Sequence, residues 1–259
     1  MDLIHRAELM PRDIEDQIRQ HGIDEYPNEA IGVISRGKYI RIKNVSKNPS
    51  DFATPDPETY QNLLMDGAID ALVHSHPDGN FCPSGKDMMA QRDHDIPYGV
   101  YAVYGDAATR VALWGDNLVR PDLLDRGFQH GITDCYDAIR DRIFEERKML
   151  ILQFPRTWRW WEDHIGDDLY MDGFMRAGFE KIPAEESLPG DGVIFKIRYN
   201  FHNHAGLLIS NDLLYHHPTS KMHYSPNHKA GIVPIERYLK HEPVFVRLNE
   251  NHPSIRHFG

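Results

Sequence analysis

The sequence has almost no cysteine: two in 259 residues, Cys82 and Cys135. That excludes a disulfide framework and leaves each thiol to be considered alone. It also lacks any run of 18 apolar residues, which excludes a transmembrane helix. The opening stretch, MDLIHRAELMPRD, has no basic region followed by an apolar one, so no signal peptide is visible. Positive charge is scarce, with 29 Lys+Arg against 39 Asp+Glu and a formal net charge of -10. An acidic chain is a poor match for a phosphate backbone, so no nucleic-acid partner is expected. At 41% hydrophobic and 26% charged residues the composition is that of a globular protein, not a disordered one. The length fits one or two domains. What the chain has in excess is histidine, with 16 residues. Histidine is the commonest metal ligand and a frequent acid–base group. The same abundance yields about one His-x-His pair by chance.

Periodicity divides the chain into two mixed halves. In the first, Ile14 and Ile18 lie four apart in a short helix over 11–21, before Gly22. The stretches 30–35 and 38–45 flank Arg36-Gly37 as a β-hairpin. Asp56-Pro57 opens a helix that runs to about Asp66-Gly67. Ala71-Leu72-Val73 reads as a buried strand leading into His74, followed by a loop and a polar helix over 84–92. Strands are expected at 99–104 and 109–115 around a Gly-Asp turn. The segment 115–130 is poor in apolar residues and contains Pro121, which places the junction there and gives domains of 1–118 and 119–259. In the second half, Cys135 opens a helix with Ile139, Ile143 and Leu150 on one face, and Phe174 and Phe179 suggest another ending near Gly178. Strands follow at 191–199, 202–210, 213–217 and 242–248, with Asn211-Asp212 as a turn. The expected class is two-domain α+β, or mixed α/β. Each half has roughly 120 residues, enough for its own core.

Two constellations carry chemistry. In HSHPDGNFCPSGKD, residues 74–87, His74 and His76 point the same way from a strand end, and Asp87 lies one turn into the next helix. Three such ligands leave a fourth position on a zinc ion for water, whose pKa the metal lowers toward about 7. Glu29, in NEAIG at a strand start, is the candidate general base. Ser84 with Asp87 also reads as a plain helix cap, Ser at N-cap and an acid at N3. The second constellation is HGITDCY, with Cys135 in the first turn of a helix, where the helix dipole favours a thiolate. The competing reading is a buried small hydrophobe, against which the flanking Asp134, Asp137 and Asp141 argue. Trp158, Trp160 and Trp161 fit either a stacking wall for a ligand or domain packing. The histidines at 5, 21, 94, 130, 164, 223, 228, 241, 252 and 257 read as surface or turn residues, with His223 and His228 in a polar loop that rims a cleft.

The first constellation resembles the JAMM (MPN) metallopeptidase motif: an upstream glutamate, His-Ser-His-Pro, then Ser-x-x-Asp. The resemblance covers about residues 1–115. It implies a cytidine-deaminase-like sheet with helices, zinc held by His74, His76 and Asp87, Glu29 as acid–base residue and Ser84 stabilising the oxyanion. The family has no cysteine at Cys82, which reads as an incidental thiol. The second half resembles the NlpC-type, papain-like peptidases on Asp134-Cys135, Pro189-Gly190-Asp191 and His204-Ala205-Gly206. That implies an antiparallel sheet with a nucleophile helix, Cys135 as nucleophile, His204 as base and His216 as the residue that orients it. His217 is the alternative for the third role, since neighbouring strand residues face opposite ways, and His202 shares a strand face with His204. Tyr136-Asp137 departs from the usual Ser-Gly after the cysteine.

The fused order, the HGITDCY context and the FPR…WW segment resemble the tail assembly protein K family of lambda-like siphophages. This resemblance implies a tail tip protein that acts in tail assembly and wall penetration, with other tail tip proteins as partners. It also implies the peptidoglycan stem peptide as substrate, assembly in the host cytoplasm and then a place in the virion tail tip. Two other readings stand beside it: a structural assembly factor with weakly used sites, and a cellular deubiquitinase-like isopeptidase. The Asp-Cys and Pro-Gly-Asp motifs weigh against the isopeptidase.

Overall fold

A computed structural model of the chain describes residues 3–162, 168–218 and 220–258. His164 lies outside them. The chain divides into two compact units, 1–119 and 120–259.

In the first unit the order is α1 (Arg6–Leu9), α2 (Arg12–Glu25), β1 (Ile31–Ser35), β2 (Lys38–Ile42), α3 (Pro57–Met65), β3 (Ala71–Pro77), α4 (Gly85–His94), β4 (Tyr98–Tyr104), β5 (Ala107–Ala108) and β6 (Ala112–Trp114). The strands form one mixed sheet, β2-β1-β3-β4-β5, with β6 also on β4. Only β3 and β4 are parallel, and α4 connects them. Ile14 and Ile18 of α2 pack with Val73, Tyr101, Val103 and Val111. Strand alternation therefore turns Val73 toward α2, and His74 and His76 to the other face. The expected strand at 109–115 is shorter than its sequence suggests: β6 begins only at Ala112, and the Val111 N–H before it goes to Glu15 Oε1 at 2.8 Å.

The second unit contains β7 (Gly127–Gln129), α5 (Cys135–Arg147), β8 (Met149–Leu150), α6 (Leu169–Arg176), β9 (Phe179–Ile182), β10 (Gly192–Phe195), β11 (His204–Leu208), β12 (Leu213–His216), β13 (Tyr224–Lys229), β14 (Gly231–Pro234), β15 (Val244–Leu248) and β16 (Arg256–His257). The main sheet runs β14-β12-β11-β10-β15-β9, antiparallel throughout. Cys135, Ile139 and Ile143 of α5 join Ile194, Ala205, Leu207 and Tyr215 of the sheet in one core. Between Ala205 and Leu207, Gly206 lies close against β12: a Cβ there would meet Leu214 Cδ1 and the Tyr215 carbonyl at 2.8 Å.

Several expectations are corrected here. Phe179 is not in a helix; α6 stops at Arg176, Gly178 takes φ 96°, and Phe179 starts β9. His202 precedes β11 and does not share it with His204. His228 sits in β13, paired with β7, and not in a loop. His21 and His130 are buried, not surface residues, since each finds a partner: His21 Nδ1 lies 2.8 Å from the Tyr39 hydroxyl, and His130 Nε2 3.0 Å from the Arg156 carbonyl. Asp134, Asp137 and Asp141 are buried as well, because arginines neutralise them.

Candidate active sites

The first site is built on the end of β3. His74 Nε2 lies 3.1 Å from His76 Nε2 and 3.3 Å from Asp87 Oδ1, and His76 Nε2 lies 3.5 Å from Asp87 Oδ2. A tetrahedral ion with bonds of about 2.0–2.1 Å spaces its ligand atoms about 3.3–3.4 Å apart, so the donor set and its spacing both fit zinc. Among the described residues this is the one His/Cys/Asp/Glu group close enough to hold a metal. The Asn80 carbonyl accepts from His76 Nδ1 at 2.9 Å. That fixes the proton on Nδ1 and leaves the Nε2 lone pair facing inward.

Cap and ligand are not alternatives for Asp87. Its Oδ2 accepts from the Ser84 N–H at 2.7 Å while its own N–H donates to Ser84 Oγ at 3.2 Å, which is a complete capping box at the start of α4. Its Oδ1 is left to face His74. Burial opposes the carboxylate charge, but His74 and His76 hold its pKa well below the usual range. Conversely, burial disfavours an imidazolium at His74, yet Asp87 and Glu29 raise its pKa. Glu29 lies two residues before Ile31, whose partner across the sheet is His74. It is 7% exposed. Burial pushes its carboxyl pKa up, against the pull of His74 and His76. Cys82 is buried in the intervening loop.

The second site gathers more distant segments. Asp134 caps α5, accepting from the N–H groups of Tyr136 at 3.0 Å and Asp137 at 3.2 Å. This puts Cys135 in the first turn, as expected. The thiolate expectation is corrected: Cys135 is 3% exposed, and burial, then Asp134, pushes its thiol up to about 12. Its sulfur is 3.0 Å from the Tyr170 hydroxyl and receives the N–H of Ala205, the residue after His204. His204 Nε2 is 2.9 Å from His216 Nδ1. His216, not His217, therefore meets His204; His217 instead packs against Phe128 and His228. Burial, then His216, keeps the His204 pKa well below 6.5. His202 is engaged elsewhere, with its Nδ1 on the Asp168 carboxylate.

Sequence reading missed Arg156. Fully buried, it donates to Asp134 at 2.8 and 2.9 Å, to Asp137 at 2.7 Å, to Gln153 Oε1 at 2.9 Å and to the Phe154 carbonyl at 3.0 Å. Burial, then Asp134, raises Asp137 to about 7, so the cluster shares its charge unevenly. The available signal was an arginine inside an aromatic stretch, opposite two acids three apart on a helix. The tryptophans split between the two readings. Trp160 is buried and stacked on Tyr170, with ring centroids 5.3 Å apart. Trp158 and Trp161 line a cleft of about 830 Å³ together with His204.

The first unit's fold and site define a JAB-type domain: the family of prokaryotic homologs of the JAB domain matches residues 11–114. Over a longer stretch the chain is 30% identical to the tail tip assembly protein K of Escherichia phage N15, across 213 residues, 78% of this chain and 83% of that protein. It is 32% identical to the tail tip assembly protein K of Escherichia phage lambda across 161 residues, 62% of this chain and 75% of that one. The chain belongs to this family of phage tail tip assembly proteins. A solution structure from Salinibacter ruber is 23% identical over 44% of this chain and 91% of its own, with a TM-score of 0.30, too low to decide anything about fold.

Proposed function

We propose that this tail tip assembly protein carries two hydrolytic centres and acts with other tail tip proteins during assembly in the host cytoplasm, then from the virion tail. The carrying observation is the convergence of His74, His76 and Asp87 at spacings of 3.1 to 3.5 Å with buried Glu29 beside them. When bound there, zinc supplies a Lewis acid and a water nucleophile at neutral pH. Glu29 takes the proton from the attacking water and returns it to the leaving amine; its raised pKa suits both transfers. The Ser84 oxygen accepts from the helix while its hydroxyl proton stays available for the substrate carbonyl oxygen as that becomes anionic.

In the second unit, read as a papain-like NlpC-type domain, His204 takes the Cys135 proton and the sulfur attacks an amide carbon of a peptidoglycan stem peptide. The C–N bond breaks, His204 protonates the leaving amine, and water then hydrolyses the thioester. His216 Nδ1 accepts from His204 Nε2 and holds the ring in the tautomer that can receive the proton. A second reading has a specific observation behind it. The burial and high pKa of Cys135 favour a protein whose role is chiefly structural, with this centre weakly used.

Metal analysis and digestion of purified sacculi test the proposal together. The expected result is one zinc per chain, lost when His74, His76 and Asp87 are all replaced by alanine, and no sacculus digestion by Cys135→Ala. Stoichiometric zinc in the triple variant, or full digestion by Cys135→Ala, overturns the respective half. Normal tail yield and infectivity from a variant lacking both centres favours the structural reading.

A further inference from the structure

The tripeptide Asp78-Gly79-Asn80, which leaves the end of β3, is held at every residue. Parallel pairing of β3 with β4 ends at Pro77 opposite Val103. The Asp78 N–H carries the contact one step further and donates to the Val103 carbonyl at 2.8 Å. The next residue of β4, Tyr104, donates its hydroxyl to the Gly79 carbonyl at 2.9 Å. From the C-terminal end of α2, Tyr26 donates its hydroxyl to Asp78 Oδ2 at 2.8 Å. The Gly79 N–H returns to the His76 carbonyl at 3.3 Å, and a Cβ on Gly79 would meet His76 Cβ at 2.9 Å, so the loop lies against the stem of that ring. Asp78 takes φ 49°, a left-handed conformation that aspartate tolerates better than most residues but still at a cost. The last carbonyl of the tripeptide, that of Asn80, is the one that accepts from His76 Nδ1 at 2.9 Å.

We infer that Tyr26, Tyr104 and Asp78 are positioning residues for the first centre: they hold the Asn80 carbonyl where it orients the His76 ring, and so set how tightly zinc is held. This role rests on the reading that His74, His76 and Asp87 bind zinc, and none of the three residues supplies a ligand. Both tyrosine hydroxyl bonds lie at the surface. Water replaces such bonds on unfolding, so they add little to stability. Their effect is on geometry. A hydrogen bond at Nδ1 fixes the tautomer and the plane of the imidazole and raises the basicity of Nε2 toward a metal. Two hydroxyls from separate elements, α2 and β4, thus brace one carbonyl behind one ligand.

The test uses the full chain, stripped of metal and titrated with Zn2+ against a chromophoric chelator at neutral pH. Tyr26→Phe with Tyr104→Phe removes only the two hydroxyls. The pair is expected to weaken zinc binding about tenfold, the lower end of what losing an outer partner of a ligand costs, while the metal-free unfolding midpoint moves by only a few degrees. Two substitutions at Asp78 remove the same charge and separate the contact from the backbone. Asp78→Asn still offers Tyr26 an oxygen and still tolerates the left-handed conformation, so its zinc affinity stays within about twofold of the unsubstituted chain. Asp78→Gly relieves the backbone but offers no acceptor, and it binds zinc at least about threefold more weakly than Asp78→Asn. Unchanged zinc affinity in the double tyrosine variant, or equal affinity in the two Asp78 variants, overturns the inference and leaves the zinc centre standing. A large fall in the metal-free midpoint of the double variant makes the contacts structural and overturns it as well. No zinc binding by the unsubstituted chain overturns the zinc reading and this role with it.

Discussion

The two candidate centres are opposites in how they hold charge. In the first unit carboxylate and imidazole favour each other's charge against burial: His74 and His76 lower the pKa of Asp87, and Asp87 and Glu29 raise that of His74. In the second, burial favours the uncharged forms of Cys135 and His204: the thiol is pushed up to about 12 and the imidazole well below 6.5. The charge of that unit sits one layer away, in Arg156 between Asp134 and Asp137. A metal-type site has its field in place before any ligand arrives. Cys135 and His204 gain charge only where something offsets their burial.

The largest effect is expected where the buried charge is paired. Arg156→Ala leaves two buried acids without the guanidinium that pairs with both and should cost the second unit about 3–5 kcal/mol. Urea unfolding followed by tryptophan emission reads this unit preferentially, since Trp158, Trp160 and Trp161 belong to it and Trp114 alone to the other. A loss below about 1 kcal/mol would mean that this arginine does not secure the start of α5. Next, a thiol pKa raised from 9.0 to about 12 leaves about a thousandfold less thiolate. Native protein at pH 7.5 should therefore alkylate at Cys135 about a thousandfold more slowly than urea-unfolded protein, measured by peptide mass mapping. Fast native labelling would erase the contrast between the centres.

The pH response follows with a sign that can be worked out. His130, His216 and His217 have folded pKa values lowered to about 4, and that of His204 is lower than its normal value too, in each case chiefly by burial. Between pH 6.5 and about 4 the unfolded chain binds protons at these four sites that the folded unit excludes, so stability falls as pH falls. Asp137, raised to about 7, opposes one of the four over the same window. The first unit has one such histidine, His21. Acid titration of thermal unfolding should thus destabilise the second unit first; the reverse order would refute the burial assignments. The smallest effect is expected at the helix cap. Asp87→Ala should cost the first unit about 1 kcal/mol from the lost cap alone, whereas Asp87→Asn, which can still cap, should stay within a few tenths and yet weaken zinc retention. Equal stability losses for both variants would refute the cap as the stabilising duty of Asp87.

Legibility in the sequence follows how far apart the partners lie. His74, His76 and Asp87 fall within one strand–loop–helix segment, so local spacing brought them together, while Ser84 joined them through the family resemblance. The main strands of both units were legible for the same reason: their apolar runs are long enough to show. Short elements such as β7, β13, β14 and β16 were not, because two to six half-exposed residues carry no periodicity. Arg156 was invisible since its role depends on residues 19 and 22 positions away. The burial of Cys135 was likewise set by Tyr170 and the Ala205 backbone, which no helix-start argument includes. His216 over His217 was a question of strand facing that only the β11–β12 register answers, with Gly206 opposite His216.

Asp87 gives one carboxylate oxygen to the first turn of α4 and the other to His74. Its two duties have unequal diagnostic value. A relative that no longer handles metal would still have reason to keep an acid at this position, because the helix needs its start. Finding the aspartate in another chain therefore says little about loading. His76 is the better witness: its Nδ1 is tied to the Asn80 carbonyl, its Nε2 faces the ligand cluster, and its ring, unlike the Asp87 carboxylate, caps no helix among the described residues. The imidazole of His76 therefore reports on metal handling in this chain in a way that the aspartate, with its helix duty, does not.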